Sequence, residues 1–180
     1  MRLVIAAAAL AGLLWAGSAR AEVVQAGPTG FIVRAESTVA TSPERAWRAL
    51  VRPGRWWSSE HTYSGDAGRM SLDARAGGCW CERWGAGQSV EHARVLLVME
   101  REGLRTLRLL GGLGPLQEMG VSGVLTFTVA PDPTGAKITM TYRVAGDAGQ
   151  GLEQLAPLVD MVLMEQFGRL VRFTASGSSD

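Results

Sequence analysis

The side chains best suited to chemistry in this 180-residue chain crowd into one short stretch, AGGCWCERW at residues 76–84. It holds both cysteines, Cys79 and Cys81, next to Glu82, with Trp80 and Trp84 interleaved. Four chemistries compete for the thiols. A zinc site needs about four ligands, usually at wider spacing. The two cysteines could supply two of them, with His61 or His92 and an acid to complete the set, but there is no second cysteine pair. A redox Cys-x-x-Cys is absent, because the spacing is one residue short. A disulfide is conceivable outside a reducing cytosol, yet alternate residues of a strand lie about 6.5 Å apart, near the upper limit for bridging. The reading given most weight is two small buried hydrophobes in a wall.

Strand alternation puts Cys79, Cys81 and Arg83 on one face and Trp80, Glu82 and Trp84 on the other. Trp80 and Glu82 facing inward would give an apolar surface carrying a single orienting carboxylate, the usual construction of a small-molecule pocket. The only histidines are His61 and His92. His61 lies with Tyr63 and Asp66 in a turn-rich loop, where it could bind a ligand or act as a base. His92 lies mid-strand and could pair with Glu82 as an acid–base couple. The order of residues shows no Ser-His-Asp pattern, P-loop or dinucleotide fingerprint, and GGLG at 111–114 is weak as a phosphate loop.

The elements that must position these groups are legible as patterns. FIVRAESTVA at 31–40 alternates as a half-buried strand. Ser42 and Pro43 are suited to cap and begin a helix, which Pro53-Gly54 stops. Residues 55–68 read as loop with one short helical turn. Strands follow at 69–73, 79–84, 88–99 and 104–110, and 111–120 is a loop or short helix. Two alternating strands then flank a turn at PDPTG, residues 131–135. Leu152, Leu155, Val159, Val162, Leu163, Phe167, Leu170 and Val171 recur at helical spacing over roughly 152–174, with Pro157 as a kink or a true start. The order strand, helix, about six strands, long helix describes an α+β domain. A twisted antiparallel sheet of that size curls, and a long helix laid across it can leave a hollow.

At the N-terminus, Arg2, an apolar run from Leu3 to Leu14 and Ala19-Arg20-Ala21 have the form of a secretory signal cleaved after Ala21. That implies a periplasmic or secreted protein with no stable membrane anchor after cleavage. Residues 1–21 are taken as this signal, 22–29 as an extension, 30–175 as the domain and 176–180 as a disordered tail. Cleavage removes Arg2 and Arg20 and takes the formal charge from +1 to −1. So neutral a chain has no electrostatic footprint for nucleic acid or an anionic membrane surface.

Four stretches in this order, TSPERAWRALVRPGRWW, AGGCWCERW, GPLQEMGVSGVLTFTV and LAPLVDMVLMEQFGRLVRF, resemble the START-like (SRPBCC) superfamily over roughly residues 30–174. This group includes polyketide cyclases, lipid-transfer domains and chaperone ATPase-activator homologues. The resemblance implies a helix-grip fold, in which a curved antiparallel sheet of about six to seven strands wraps a long C-terminal helix around an apolar cavity. It also implies binding of a lipid or other hydrophobic small molecule, with Leu116 to Met119 as a flap. The expected ligand-binding residues are Trp57, His61, Tyr63, Trp80, Glu82, His92, Met119, Met161 and Phe167; no metal or cofactor is required. Two alternatives stand beside this. One is a cyclase-, dehydratase- or hydrolase-like enzyme using His61, Glu82 or His92. The other is a protein-interaction role through an exposed apolar patch at Trp56 and Trp57.

Overall fold

The computed structural model describes residues 20–180, with side chains from residue 23 onward; most of the expected signal segment lies outside the described residues. The chain forms strand β1 (Arg20–Gly27), β2 (Gly30–Val39), helix α1 (Pro43–Leu50), and then β3 (Met70–Leu72), β4 (Cys79–Trp84) and β5 (Gln88–Arg101). β6 (Leu104–Leu110), β7 (Ser122–Asp132), β8 (Gly135–Ala145) and helix α2 (Leu152–Ser176) complete it. The eight strands make one antiparallel sheet in the order β1-β2-β8-β7-β6-β5-β4-β3. It is a helix-grip: the chain crosses from one side of the sheet to the other through α1 and a long loop, then meanders back to β2.

The sheet has one strand more than the six to seven expected. The additional one is β1, in the segment read only as an extension; it pairs with β2 from Arg20↔Glu36 to Gly27↔Gly30. At the other end, the last residues lie back along α2 rather than extending from it. Arg169 Nη2 donates to Ser179 Oγ at 3.1 Å, and Arg172 Nε donates to the Ser179 carbonyl at 3.0 Å.

Period-two burial along β2, β7 and β8 sends Val33, Ala35, Leu125, Phe127, Ile138 and Met140 to the concave face. α1 begins as its sequence requires, with Ser42 Oγ accepting the Arg45 N–H and Pro43 in the first turn. α2 runs through Pro157 without interruption and packs mainly against β1 and β2. It therefore lies toward one side of the bowl. Trp56, Trp57, Trp80 and Phe127 fill part of the other side, with Trp57 edge-on to Trp80 at 5.0 Å between ring centroids. Trp56 and Trp57 are both buried. This corrects the expectation of an exposed aromatic patch. Each indole has reason to be inside: Trp56 Nε1 donates to the Leu50 carbonyl and Trp57 Nε1 to that of His61, so neither polar atom needs water.

The loop from β6 to β7 is tied down by a phenol. Fully buried Tyr142 donates to the Gly111 carbonyl at 2.9 Å and accepts the Leu113 N–H at 3.0 Å. Burial pushes its ionisation up to about 12, so it stays a neutral donor. Replacing it with Phe leaves both loop groups unpaired. Tyr142→Phe is expected to cost about 1–3 kcal/mol, read as a lower urea midpoint with an unchanged slope.

Candidate functional site

The site is organised around a buried carboxylate. Glu82 lies on the concave face of β4 with no solvent exposure. Its Oε2 accepts the Tyr63 N–H at 3.1 Å and faces His92 Nε2 at 3.0 Å, while Oε1 accepts the Ser64 N–H at 2.6 Å. Burial pushes its ionisation up, but the donors from Ser64, Tyr63 and His92 outweigh this and hold it below the usual carboxylate range. For His92 the balance runs the other way. Burial drives its pKa down, against the opposing pull of Glu82, and keeps the ring neutral. An ionised Glu82 can only accept. The proton of His92 therefore sits on Nε2 and leaves the Nδ1 lone pair without a protein partner among the described residues.

A β-bulge makes this contact possible. Trp80 pairs with Ala93 and Cys81 with Glu91, so His92 is an extra residue in β5 with no opposite number. A bulge re-aims the side chain it carries. Here it turns His92 inward toward Glu82, between Tyr63 and Trp80 at centroid distances of 5.8 and 6.1 Å.

The same irregularity accompanies a change in the cysteines. Cys79 and Cys81 form a disulfide on the opposite face of β4. Their Cα atoms are 5.3 Å apart, well under the roughly 6.5 Å spacing of a regular strand. The expectation of two wall-lining thiols is corrected by this local contraction opposite the bulge. Cys79, Cys81 and Glu91 lie close enough together to share an ion, but the disulfide uses both sulfurs.

In front of His92 is a cavity of about 560 Å³. Its wall on the sheet is Trp80 and His92, and the 57–63 loop contributes Trp57, Glu60, His61, Thr62 and Tyr63. The 113–119 segment and five apolar residues of α2, Leu155, Leu158, Val159, Val162 and Leu163, close the other sides. The framing loops are pinned from several directions. Gln166 Oε1 accepts the Ser58 N–H at 2.7 Å, and Arg169 Nε donates to the Trp56 carbonyl at 3.0 Å. Gln117 Nε2 donates to the Glu91 carbonyl at 2.7 Å and Gln150 Nε2 to that of Met119 at 2.6 Å. At the mouth, half-exposed Tyr63 reaches the Gly114 carbonyl at 3.5 Å, and His61 Nε2 meets Glu165 Oε2 at 3.2 Å.

Six of the nine expected residues line the cavity: Trp57, His61, Tyr63, Trp80, His92 and Met119. Glu82 stands directly behind His92 rather than in the wall. Met161 and Phe167 do not belong to it. Met161 is 63% exposed and Phe167 1% exposed, in the core. Successive helical residues are about 100° apart. Ala156, Phe167 and Leu170 form the stripe packed in the core, Leu155, Leu158, Val159 and Val162 form the neighbouring stripe that faces the cavity, and buried Leu163 lies on the border of the two. Met161 points away from both. The missed α2 residues were visible in the apolar periodicity, but periodicity does not separate two adjacent stripes of one helix.

No family model matches the chain, and no curated protein matches it. Solved structures share the fold. A Mesorhizobium loti protein is 20% identical with a TM-score of 0.52, covering 78% of this chain and 94% of its own. A Staphylococcus aureus protein of unknown function is 14% identical with a TM-score of 0.53, over 81% of this chain and 91% of its own. A hypothetical protein from Helicobacter pylori is 12% identical with a TM-score of 0.51, over 81% and 86% respectively. These likenesses establish the helix-grip fold and nothing finer.

The buried pair has a pH signature. The His92 pKa is lowered from its ordinary 6.5, so the unfolded chain takes up its proton first as pH falls. The stability this neutral ring confers is present above pH 6.5 and is lost as pH falls toward the folded value. A His92→Gln variant lacks this term. The stability gap between wild type and variant is expected to narrow between about pH 7 and about pH 5, read from urea midpoints at each pH.

Proposed function

We propose that the protein binds a hydrophobic small molecule in the cavity between α2 and the sheet. The observation that carries this reading is the cavity itself: about 560 Å³, walled mostly by aliphatic and aromatic side chains and edged by a few polar groups. Drug-sized ligands occupy sites of about 300–1,000 Å³ built this way. A START-like relationship, read from the sequence stretches that frame the cavity, is part of the same proposal. So is export. The disulfide supports it, because such bonds persist outside a reducing cytosol. Cleavage after Ala21 would leave β1 paired with β2 from Glu22 to Gly27.

The test uses the neutral fluorophore N-phenylnaphthylamine. Saturable binding at one site is expected, at about micromolar Kd once ordering costs are met. Val162 lines the cavity from α2 and is half-buried. Val162→Trp fills the space and is expected to weaken binding at least tenfold while the far-UV circular dichroism stays unchanged. Undiminished binding by that variant would exclude the cavity as the site.

A second reading rests on the Glu82–His92 hydrogen bond. A carboxylate that orients and stabilises a neutral imidazole, on a residue that lines an apolar cavity, is an arrangement suited to general base catalysis. In this reading Nδ1 takes a proton from a bound molecule and Glu82 stabilises the imidazolium that forms. Chemical change of a co-purified ligand by wild type, together with loss of that change but retention of binding in His92→Gln, is the expected result. A co-purified ligand recovered unchanged would leave binding as the function.

A further inference from the structure

Resting on the cavity-binding reading above, we infer that the ligand carries a hydrogen-bond-donating, non-anionic polar end, an amine or a hydroxyl, and that carboxylates and phosphates are rejected. Two independent features of the cavity point there.

The first is His92. Its side chain is 8% exposed, lies in the cavity wall, and has its Nε2 committed to Glu82. The polar feature it offers to the interior is therefore the lone pair on Nδ1, which accepts and does not donate. A hydroxyl or ammonium satisfies it. A carboxylate or an ether oxygen brings a second acceptor against it, and neither gains a bond from that ring in return for the water lost.

The second is the charge around the cavity. Among the described residues no lysine or arginine lines it, while Glu60 and Glu118 do. The one other ionisable lining group apart from His92 and Tyr63 is His61, and Glu165 stands against it, so a proton on His61 is matched by a carboxylate. Ionised Glu82 adds a negative charge directly behind the wall. An anionic head entering here meets two carboxylates at the rim and a third beyond the ring, with no lysine or arginine among the described lining residues to neutralise it. A cationic head meets the same three groups as attractions, strengthened where water is excluded. Lipid carriers of anionic cargo need an arginine, a lysine or a run of backbone N–H groups at the head; the Tyr63 and Ser64 N–H groups, which could have served, are already spent on Glu82.

The experiment compares four probes with one apolar body, decylamine, decan-1-ol, 1-methoxydecane and decanoate. Each displaces N-phenylnaphthylamine from the full chain at low ionic strength and neutral pH. Decylamine is expected to bind at least tenfold more tightly than decanoate, and decan-1-ol more tightly than 1-methoxydecane, which has no donor. In the variant with both Glu60→Gln and Glu118→Gln, two exposed rim positions, the preference for decylamine over decanoate should fall to below half of its wild-type value. A preference of less than tenfold in wild type, an ether bound as tightly as the alcohol, or a preference unchanged in the double variant would each overturn the inference. All three outcomes leave the fluorophore bound and so leave the cavity-binding reading intact. Absence of fluorophore binding would remove that reading, and this inference with it.

Discussion

The site depends on keeping one carboxylate ionised out of water. A buried carboxylate is costly unless every lone pair is met, and the donors that meet those of Glu82 come from two separate parts of the chain. Two are backbone N–H groups of the loop after α1, and one is an imidazole on the next strand. Satisfying the charge therefore fixes the position of that loop against β4 and β5. The loop in turn delivers Trp57, His61 and Tyr63 to the cavity wall. Removing one partner from such a group leaves charge or donors uncompensated, which is why a small change here would disturb cavity shape as well as local hydrogen bonding.

The other constraint is how the sheet and α2 meet. α2 packs mainly on β1 and β2, at one side of the order in which β3, β4 and β5 lie at the other. A helix of fixed width set toward one side of a curved sheet cannot fill the whole concavity. The tryptophan cluster takes up part of the remainder and the cavity is what is left. Bulges in β5 opposite Trp80–Cys81 and again between Val95 and Leu97 add to the bending of that half of the sheet. One of them supplies His92 as well, so the irregularity that shapes the wall also arms it.

Loop anchorage gives the cavity defined edges. Tyr142, Gln117 and Gln150 each reach a backbone group of the 111–119 segment or its neighbouring strand, and Gln166 and Arg169 do the same for residues 56–58. Four of these five side chains are long and polar. Side chains of that kind read in a sequence as ordinary surface, because what distinguishes them is the carbonyl or N–H they reach.

Local rules were enough to determine the α+β class, the cap at Ser42-Pro43, most of the strands and the closing helix, because alternation, helical periodicity and turn chemistry act over a few residues. They also placed Trp80 and Glu82 on one face of β4 and admitted His92 as one possible partner for Glu82. Tertiary structure alone decided the rest. β1 became a strand only by pairing with β2. The disulfide needed a contraction that regular strand spacing does not provide, and Trp56 and Trp57 went inside because the chain folds the Leu50 and His61 carbonyls to where they accept from the indole N–H groups. On α2, the choice between Met161, Phe167 and the stripe through Val159 and Val162 depended on the rotation of the helix about its own axis. That angle is set by packing against the sheet, and no residue pattern within the helix encodes it.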